Sequence, residues 1–180
     1  LKERELPFME EMRLEPDDFY GALKTSAESS VINFPGFVIL RFSHVYGYGL
    51  GFGVQTNGLV NRLVQSAYGE DVMKINGSGN QKFDLLHVND LCDAIKLILN
   101  NDIKNEIINI GGGKPISINE LALRISKIFD KDIKIINVEI KDYKEFPDHW
   151  MSIDKAKELL NWEPKVSLNE GVKEIIKNLK

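Results

Sequence analysis

The chain has 180 residues, 43% of them hydrophobic and 28% charged, and a formal net charge of −4. These fractions lie near the averages of soluble domains, about 45–50% apolar and 25% charged, and exclude a disordered, collagen-like or disulfide-dense chain. A sequence pI of about 5.5 with no basic stripe argues against nucleic acid as a partner, and no apolar run approaches the ~20 residues that span a bilayer.

The chain opens on Leu1-Lys2-Glu3-Arg4-Glu5, which is charged and unlike a signal peptide. It does not begin with methionine, and no strand precedes the first helix, so it reads as a partial chain. The spacing then predicts a helix over 17–34, with Asp17 and Asp18 in its first turn, Phe19, Leu23, Ala27 and Val31 at four-residue intervals, and Pro35-Gly36 as its stop. Phe37-Val38-Ile39-Leu40 is a short continuous apolar run, the pattern of a strand buried on both faces. A loop rich in glycine and aromatics follows, from Tyr46 to Gly53.

Leu59, Val60, Leu63, Val64 and Ala67 mark a second helix that stops at Gly69. Val72–Ile75 and Phe83–Val88 are strand-like, around the turn Asn76-Gly77-Ser78-Gly79. Leu91, Ala94, Ile95, Ile98 and Leu99 give another amphipathic helix, capped by Asn89 or Asp90. Cys92, near its start, is read as a small packing residue; as the one cysteine it cannot close an internal disulfide and suggests a reducing, cytoplasmic setting. Ile107–Ile110 is a strand running into three glycines. Ser117-Ile118-Asn119-Glu120 is a capping box ahead of Leu121, Ala122, Ile125, Ile128 and Phe129. Ile133–Val138 is strand-like, residues 153–160 are helical, and Ser167-Leu168-Asn169-Glu170 caps a last helix through Val172, Ile175, Ile176 and Leu179. Strands alternating with helices argue for an α/β fold.

Tyr20 and Lys24 form a Y-x-x-x-K pair, and residues four apart share one face of a helix. The pair could do definite chemistry. A free phenol titrates near 10, so acting as a base near pH 7 requires about 4 kcal/mol of differential stabilisation. A cation about 6 Å away at an effective dielectric of ~20 supplies roughly 2.8 kcal/mol, so a second positive charge is needed. Taken alone, the pair is equally well explained as a solvated helix face.

Its surroundings add to it. Pro16-Asp17-Asp18-Phe19-Tyr20-Gly21-Ala22-Leu23-Lys24-Thr25-Ser26-Ala27-Glu28 resembles the active-site helix of the extended short-chain dehydrogenase/reductase family, and within it of the NAD-dependent nucleotide-sugar epimerases and dehydratases. Four further segments follow in that family's order. Leu40-Arg41-Phe42-Ser43-His44-Val45-Tyr46-Gly47 resembles its R-x-x-N-V-Y-G segment, and Gly77-Ser78-Gly79-Asn80-Gln81 with His87-Val88-Asn89-Asp90 resembles G-x-G-x-Q…H-V-x-D. Asn109-Ile110-Gly111-Gly112-Gly113 with Ser117-Ile118-Asn119-Glu120-Leu121 resembles N-I-G-G-G…S-x-x-E-L. Asp154 to Lys157 with Leu160-Asn161-Trp162-Glu163-Pro164 resembles D-x-x-K…L-G-W-x-P.

The resemblance covers the family's C-terminal half. It implies the C-terminal part of a Rossmann-type fold, with residues 1–50 and 84–111 in the nucleotide-binding part and 51–83 and 112–180 in a small substrate-binding lobe. It implies NAD or NADP as cofactor, a nucleotide-activated sugar as substrate, and a homodimer in the complete protein. Tyr20 and Lys24 would be catalytic and would touch the cofactor; His44, Tyr46, Asn57, Gln81 and Lys82 would touch the substrate. No glycine-rich dinucleotide turn occurs in the sequence, so the 180-residue chain alone is expected to be inactive.

Two departures stand out. His44 replaces the family's asparagine and is either a substrate contact or a residue packed beside Tyr46. Phe83 replaces the arginine of R-D-F, which in relatives often clamps a diphosphate; Lys82 could substitute only as a point charge. His87 and Asp90 are read as structural, Trp162 and Pro164 as core packing after a helix, and no zinc-ligand spacing occurs. Two alternatives stay open: an extended reductase acting on a non-sugar carbonyl compound, and a non-catalytic fragment that binds no cofactor.

Overall fold

A computed structural model describes residues 5–48, 58–129, 132–141 and 144–179. The order of elements is α1 (Phe19–Val31), β1 (Val38–Phe42), β2 (His44–Tyr46), α2 (Leu59–Gly69), β3 (Val72–Asn76), β4 (Lys82–Phe83), β5 (Leu85–His87), α3 (Val88–Asn100), β6 (Glu106–Ile110), β7 (Ile116–Ser117), α4 (Ile118–Phe129), β8 (Lys134–Val138), α5 (Asp154–Leu160) and α6 (Leu168–Lys177). Among the described residues, no helix is long and apolar enough to cross a membrane.

Parallel pairing dominates. β1 pairs with β6, from Val38 opposite Glu106 to Phe42 opposite Ile110, and β2 pairs with β5. Ser43 separates β1 from β2, and its N–H still donates to Ile110 O at 3.1 Å. The turn at 76–79 does not close a hairpin. β3 runs parallel to β8, and β4 pairs antiparallel with β7. The predicted strand Phe83–Val88 divides at Asp84, so that its two pieces serve different partners.

The apolar residues collect into two clusters. One joins Val60, Leu63 and Val64 of α2 to Met73, Phe83, Leu121, Ile125, Val172 and Ile175. The other joins Leu86, Ala94, Ile108 and Ile110 to Ile153, Ala156, Leu160 and Trp162. Residues 153–162 therefore pack with the β1–β6 region.

Helix ends follow local chemistry. Ser167 and Glu170 form the reciprocal capping box expected of them. The box at Ser117 is half-made: Ser117 Oγ accepts from Glu120 N at 3.1 Å, while the Glu120 carboxylate turns to Arg124. α3 starts earlier than the sequence suggests. Its N-cap is His87, whose Nδ1 accepts from Asn89 N at 3.3 Å, because β5 runs into the helix without a loop. Asp90 is thereby freed for another task. It is buried, and its carboxylate accepts from Lys165 N at 3.0 Å and Val166 N at 3.1 Å. Trp162 is buried beside it and donates Nε1–H to Asp90 O at 3.2 Å.

Asn161 ends α5 in the left-handed region at φ 49°, where the family pattern has glycine; asparagine is among the few side chains that sit there readily. Gly112 passes so close to the Leu85 carbonyl that a Cβ would overlap it. Cys92 is exposed on α3 rather than packed, because it falls off the buried Ala94–Ile98 face.

Candidate active site

α1 carries the Tyr–Lys pair. Asp18 caps the helix by accepting from Gly21 N at 2.6 Å, and Thr25, Ser26, Ser29 and Ser30 each return a hydroxyl to the carbonyl four residues back. None of its residues is buried, and Tyr20 is 68% exposed. The Lys24 ammonium lies 5.4 Å from the centroid of the Tyr20 ring, so the spacing of four does bring phenol and cation together.

Arg41 on β1 fixes the helix to the sheet. Its Nε donates to Glu28 Oε1 at 3.1 Å and its Nη2 to Oε2 at 2.8 Å. The third arm, Nη1, donates to Glu10 O at 2.8 Å, and Glu10 Oε1 accepts from Asn109 N at 2.8 Å. A planar guanidinium thus joins α1, β1 and the segment before α1.

A second centre lies around Phe83. Its ring is fully buried and meets His44 edge-on at 5.1 Å, Phe146 at 6.1 Å and His149 at 6.2 Å. Loop 144–151 delivers His149 through backbone bonds to β4: His149 N donates to Lys82 O at 2.9 Å, and Lys82 N to Asp148 Oδ1 at 2.8 Å. His44 and His149 face each other with Nε2 atoms 2.7 Å apart, and His149 Nδ1 lies 2.9 Å from Pro147 O. His44 keeps an exposed surface, yet the crowding of its ring by these neighbours drives its pKa down to about 4, loss of hydration first and the charge of His149 second. Asp84, buried next to Phe83, has its pKa raised by burial, opposed mainly by the Gly112 N–H that it accepts at 3.1 Å.

His44 and Phe83 line a cavity of about 230 Å³ together with Arg62 of α2, Lys74 and Asn76 of β3, and Phe146. Two fixed cations, a titratable histidine and apolar walls in one small cleft suit a ligand with an anionic part and a flat or apolar part. A larger cleft of about 840 Å³ runs beside α1, past Gly21, Thr25, Arg41 and Met151.

The predicted site residues are therefore dispersed. Tyr20 and Lys24 share one open helix face, and His44 sits on the cavity wall. Tyr46 is not on that wall. It is 4% exposed in the core, packed edge-on against His87 at 5.2 Å, and burial raises its pKa, with Asp90, Glu170 and Glu174 adding to the effect. Gln81 is 5% exposed, and both its amide atoms lack a hydrogen-bond partner among the described residues. Lys82 has an exposed side chain and contributes its backbone to the cluster. Asn57 lies outside the described residues. His87 is buried and caps α3, and its Nε2 lies 3.1 Å from Glu174 Oε2 without hydrogen-bond alignment. Sequence reading missed Arg62, Lys74, Phe146 and His149. The only trace of Lys74 is a charge inside an apolar strand, and His149 leaves no periodic signal.

The profile of the NAD dependent epimerase/dehydratase family matches residues 2–111. The chain belongs to this family. It is 31% identical over 185 residues to a UDP-glucuronate 4-epimerase of Thermodesulfobacterium geofontis, covering 94% of this chain and 53% of that protein. Among solved structures, it superposes with a TM-score of 0.82 at 29% identity on UDP-glucuronic acid 4-epimerase from Bacillus cereus in complex with UDP-glucuronic acid and NAD, covering 97% of this chain and 58% of that one. The dTDP-glucose 4,6-dehydratase from Bacillus anthracis in complex with NAD gives a TM-score of 0.81 at 25% identity, over 95% of this chain and 55% of that one. The fold is that of a Rossmann-type extended short-chain dehydrogenase, and the chain spans about half the length of the relatives it matches.

Proposed function

We propose that the full-length protein containing this chain is an NAD(P)-dependent epimerase or dehydratase of a nucleotide-activated sugar. The observation that carries this reading is the Tyr20–Lys24 pair, side by side on an open helix face, in a chain of this family. A phenol and an ammonium with nothing buried over them fit the nicotinamide-ribose end of a dinucleotide, which when bound accepts and returns a hydride. Tyr20 Oη takes the proton of a sugar hydroxyl as that carbon is oxidised. Lys24 supplies the positive charge beside the phenol and a donor for a ribose hydroxyl. The cavity of His44, Arg62 and Lys74 holds part of the nucleotide sugar, with residues 51–83 and most of 112–180 as the lobe around it. A homodimer remains part of this proposal.

The other dehydrogenase reading, a reductase of a non-sugar carbonyl compound, drew on the loss of an arginine at Phe83. Arg62 and Lys74 place cations in the same cleft, which favours the nucleotide sugar.

The test is Tyr20→Phe in the full-length protein, assayed on a panel of UDP- and dTDP-sugars. Turnover is expected to fall by about 10²-fold or more, the usual contribution of a positioned acid–base group, while NAD affinity changes little. Near-normal turnover sinks the assignment.

A further inference from the structure

His44 on the cavity wall and His149 behind it are wired so that one proton changes what His44 offers a ligand. Pro147 O is only an acceptor, so His149 Nδ1 must carry hydrogen to donate across 2.9 Å. In a neutral His149, Nε2 is then bare, and the 2.7 Å contact requires His44 to donate from its Nε2. A neutral His44 with hydrogen on Nε2 has a bare Nδ1, a lone pair that repels anions. One added proton reverses this wherever its charge resides. If it sits on His44, Nδ1 becomes an N–H directly. If it sits on His149, His149 donates from Nε2, His44 Nε2 becomes the acceptor, and the remaining hydrogen of His44 must be on Nδ1. Two imidazoles at this separation hold one shared proton long before they hold two.

We propose that the His44–His149 pair is a proton-gated anion clamp: an anionic group of the ligand entering the cavity draws one proton from solvent onto the pair and is bound by the N–H this creates. The inference rests on the nucleotide-sugar reading and deepens it, since it assigns the anionic part of the ligand a binding device that replaces a fixed arginine at Phe83. The charged groups facing the pair are consistent with it. Arg62 from α2 and Lys74 from β3 line the same cavity as His44. Asp84, buried between β4 and β5, acts on His149 through charge, and Asp148 and the exposed Lys82 flank it from the loop and from β4. The anion could be the diphosphate that every nucleotide sugar carries or the carboxylate of a sugar acid.

The experiment is calorimetric titration of UDP-glucose, UDP-glucuronate and uridine into the full-length protein at pH 7.5, in buffers of different ionisation enthalpy. UDP-glucose is expected to bind with uptake of a measurable fraction of one proton, and its affinity to fall by up to tenfold per unit as pH rises. Uridine is expected to show neither effect. Uptake with both nucleotide sugars assigns the diphosphate; uptake with UDP-glucuronate alone assigns the carboxylate. His149→Gln is expected to remove the uptake. The chain has three histidines, so ¹⁵N imidazole shifts of the unmutated protein give a second readout: His44 with hydrogen on Nε2 alone before ligand, on both nitrogens after. Binding without proton uptake, or an unchanged His44 tautomer, overturns the clamp and leaves the nucleotide-sugar reading standing. Absence of any nucleotide-sugar binding overturns both.

Discussion

His44 makes folding pH-dependent with a definite sign. In the unfolded chain its imidazole titrates near 6.5, whereas in the fold it stays neutral down to about 4. Between these values the unfolded state binds a proton that the folded state refuses, so stability falls as pH drops from about 6.5 to 4. Asp84 works in the opposite sense, because its raised pKa makes the folded state the better proton acceptor as the solution is acidified. Asp154 and Glu170, whose pKa values are lowered by hydrogen bonds from Ser152 and Ser167, lose their contribution only below the ordinary carboxylate range. The difference between wild type and His44→Asn isolates the histidine. Urea midpoints measured from pH 7 to 4 are expected to decline less steeply in the variant. His44 was legible in the sequence because it broke a motif. Its partner was not: His149 is 105 residues away, and only the 2.7 Å contact reveals the pair. Tyr46 shows the converse, since membership in a motif says nothing of whether a side chain faces a ligand or a neighbouring helix.

At the level of elements, the sequence marked most helices correctly and almost no strand partners. Capping residues and apolar periodicity are local, whereas β3 finds β8 some sixty positions further on and ignores the adjacent β4. Asp90 shows the same limit. A carboxylate near a helix start resembles a cap, but here it reaches instead to the chain between α5 and α6, accepting from Lys165 N and Val166 N. Hydrogen bonds to a charged acceptor contribute about 1.5–3 kcal/mol each. Asp90→Ala is therefore expected to lower stability by about 3 kcal/mol, which for a chain of this size moves the melting temperature by roughly 6–12 °C. Asp90→Asn, which keeps one acceptor oxygen, should lose distinctly less by calorimetry. Equal losses in the two variants would mean that the single acceptor oxygen kept by asparagine contributes nothing without the second.

At the scale of the whole molecule, the α/β class and its family were readable from five ordered motifs, but the state of α1 was not. Its regular apolar stripe looks like a core-facing surface, yet Phe19 is 79% exposed and Leu23 54%, with Phe34 and Phe42 exposed nearby. These side chains stay more than half exposed among the described residues, and the chain covers only about half of its relatives. The helix that carries the Tyr20–Lys24 pair is tied to β1 through Glu28 and Arg41, while the pair itself stays open. Two polar groups open to water offer a dinucleotide little enclosure, and affinity depends on enclosure and preorganisation as much as on the presence of the right groups. NAD or NADP titrated into the isolated 180-residue polypeptide is therefore expected to give no micromolar binding, while the full-length protein binds one of them. Micromolar affinity in the short polypeptide would mean that its larger cleft beside α1, between Gly21, Thr25 and Met151, is itself a nucleotide site.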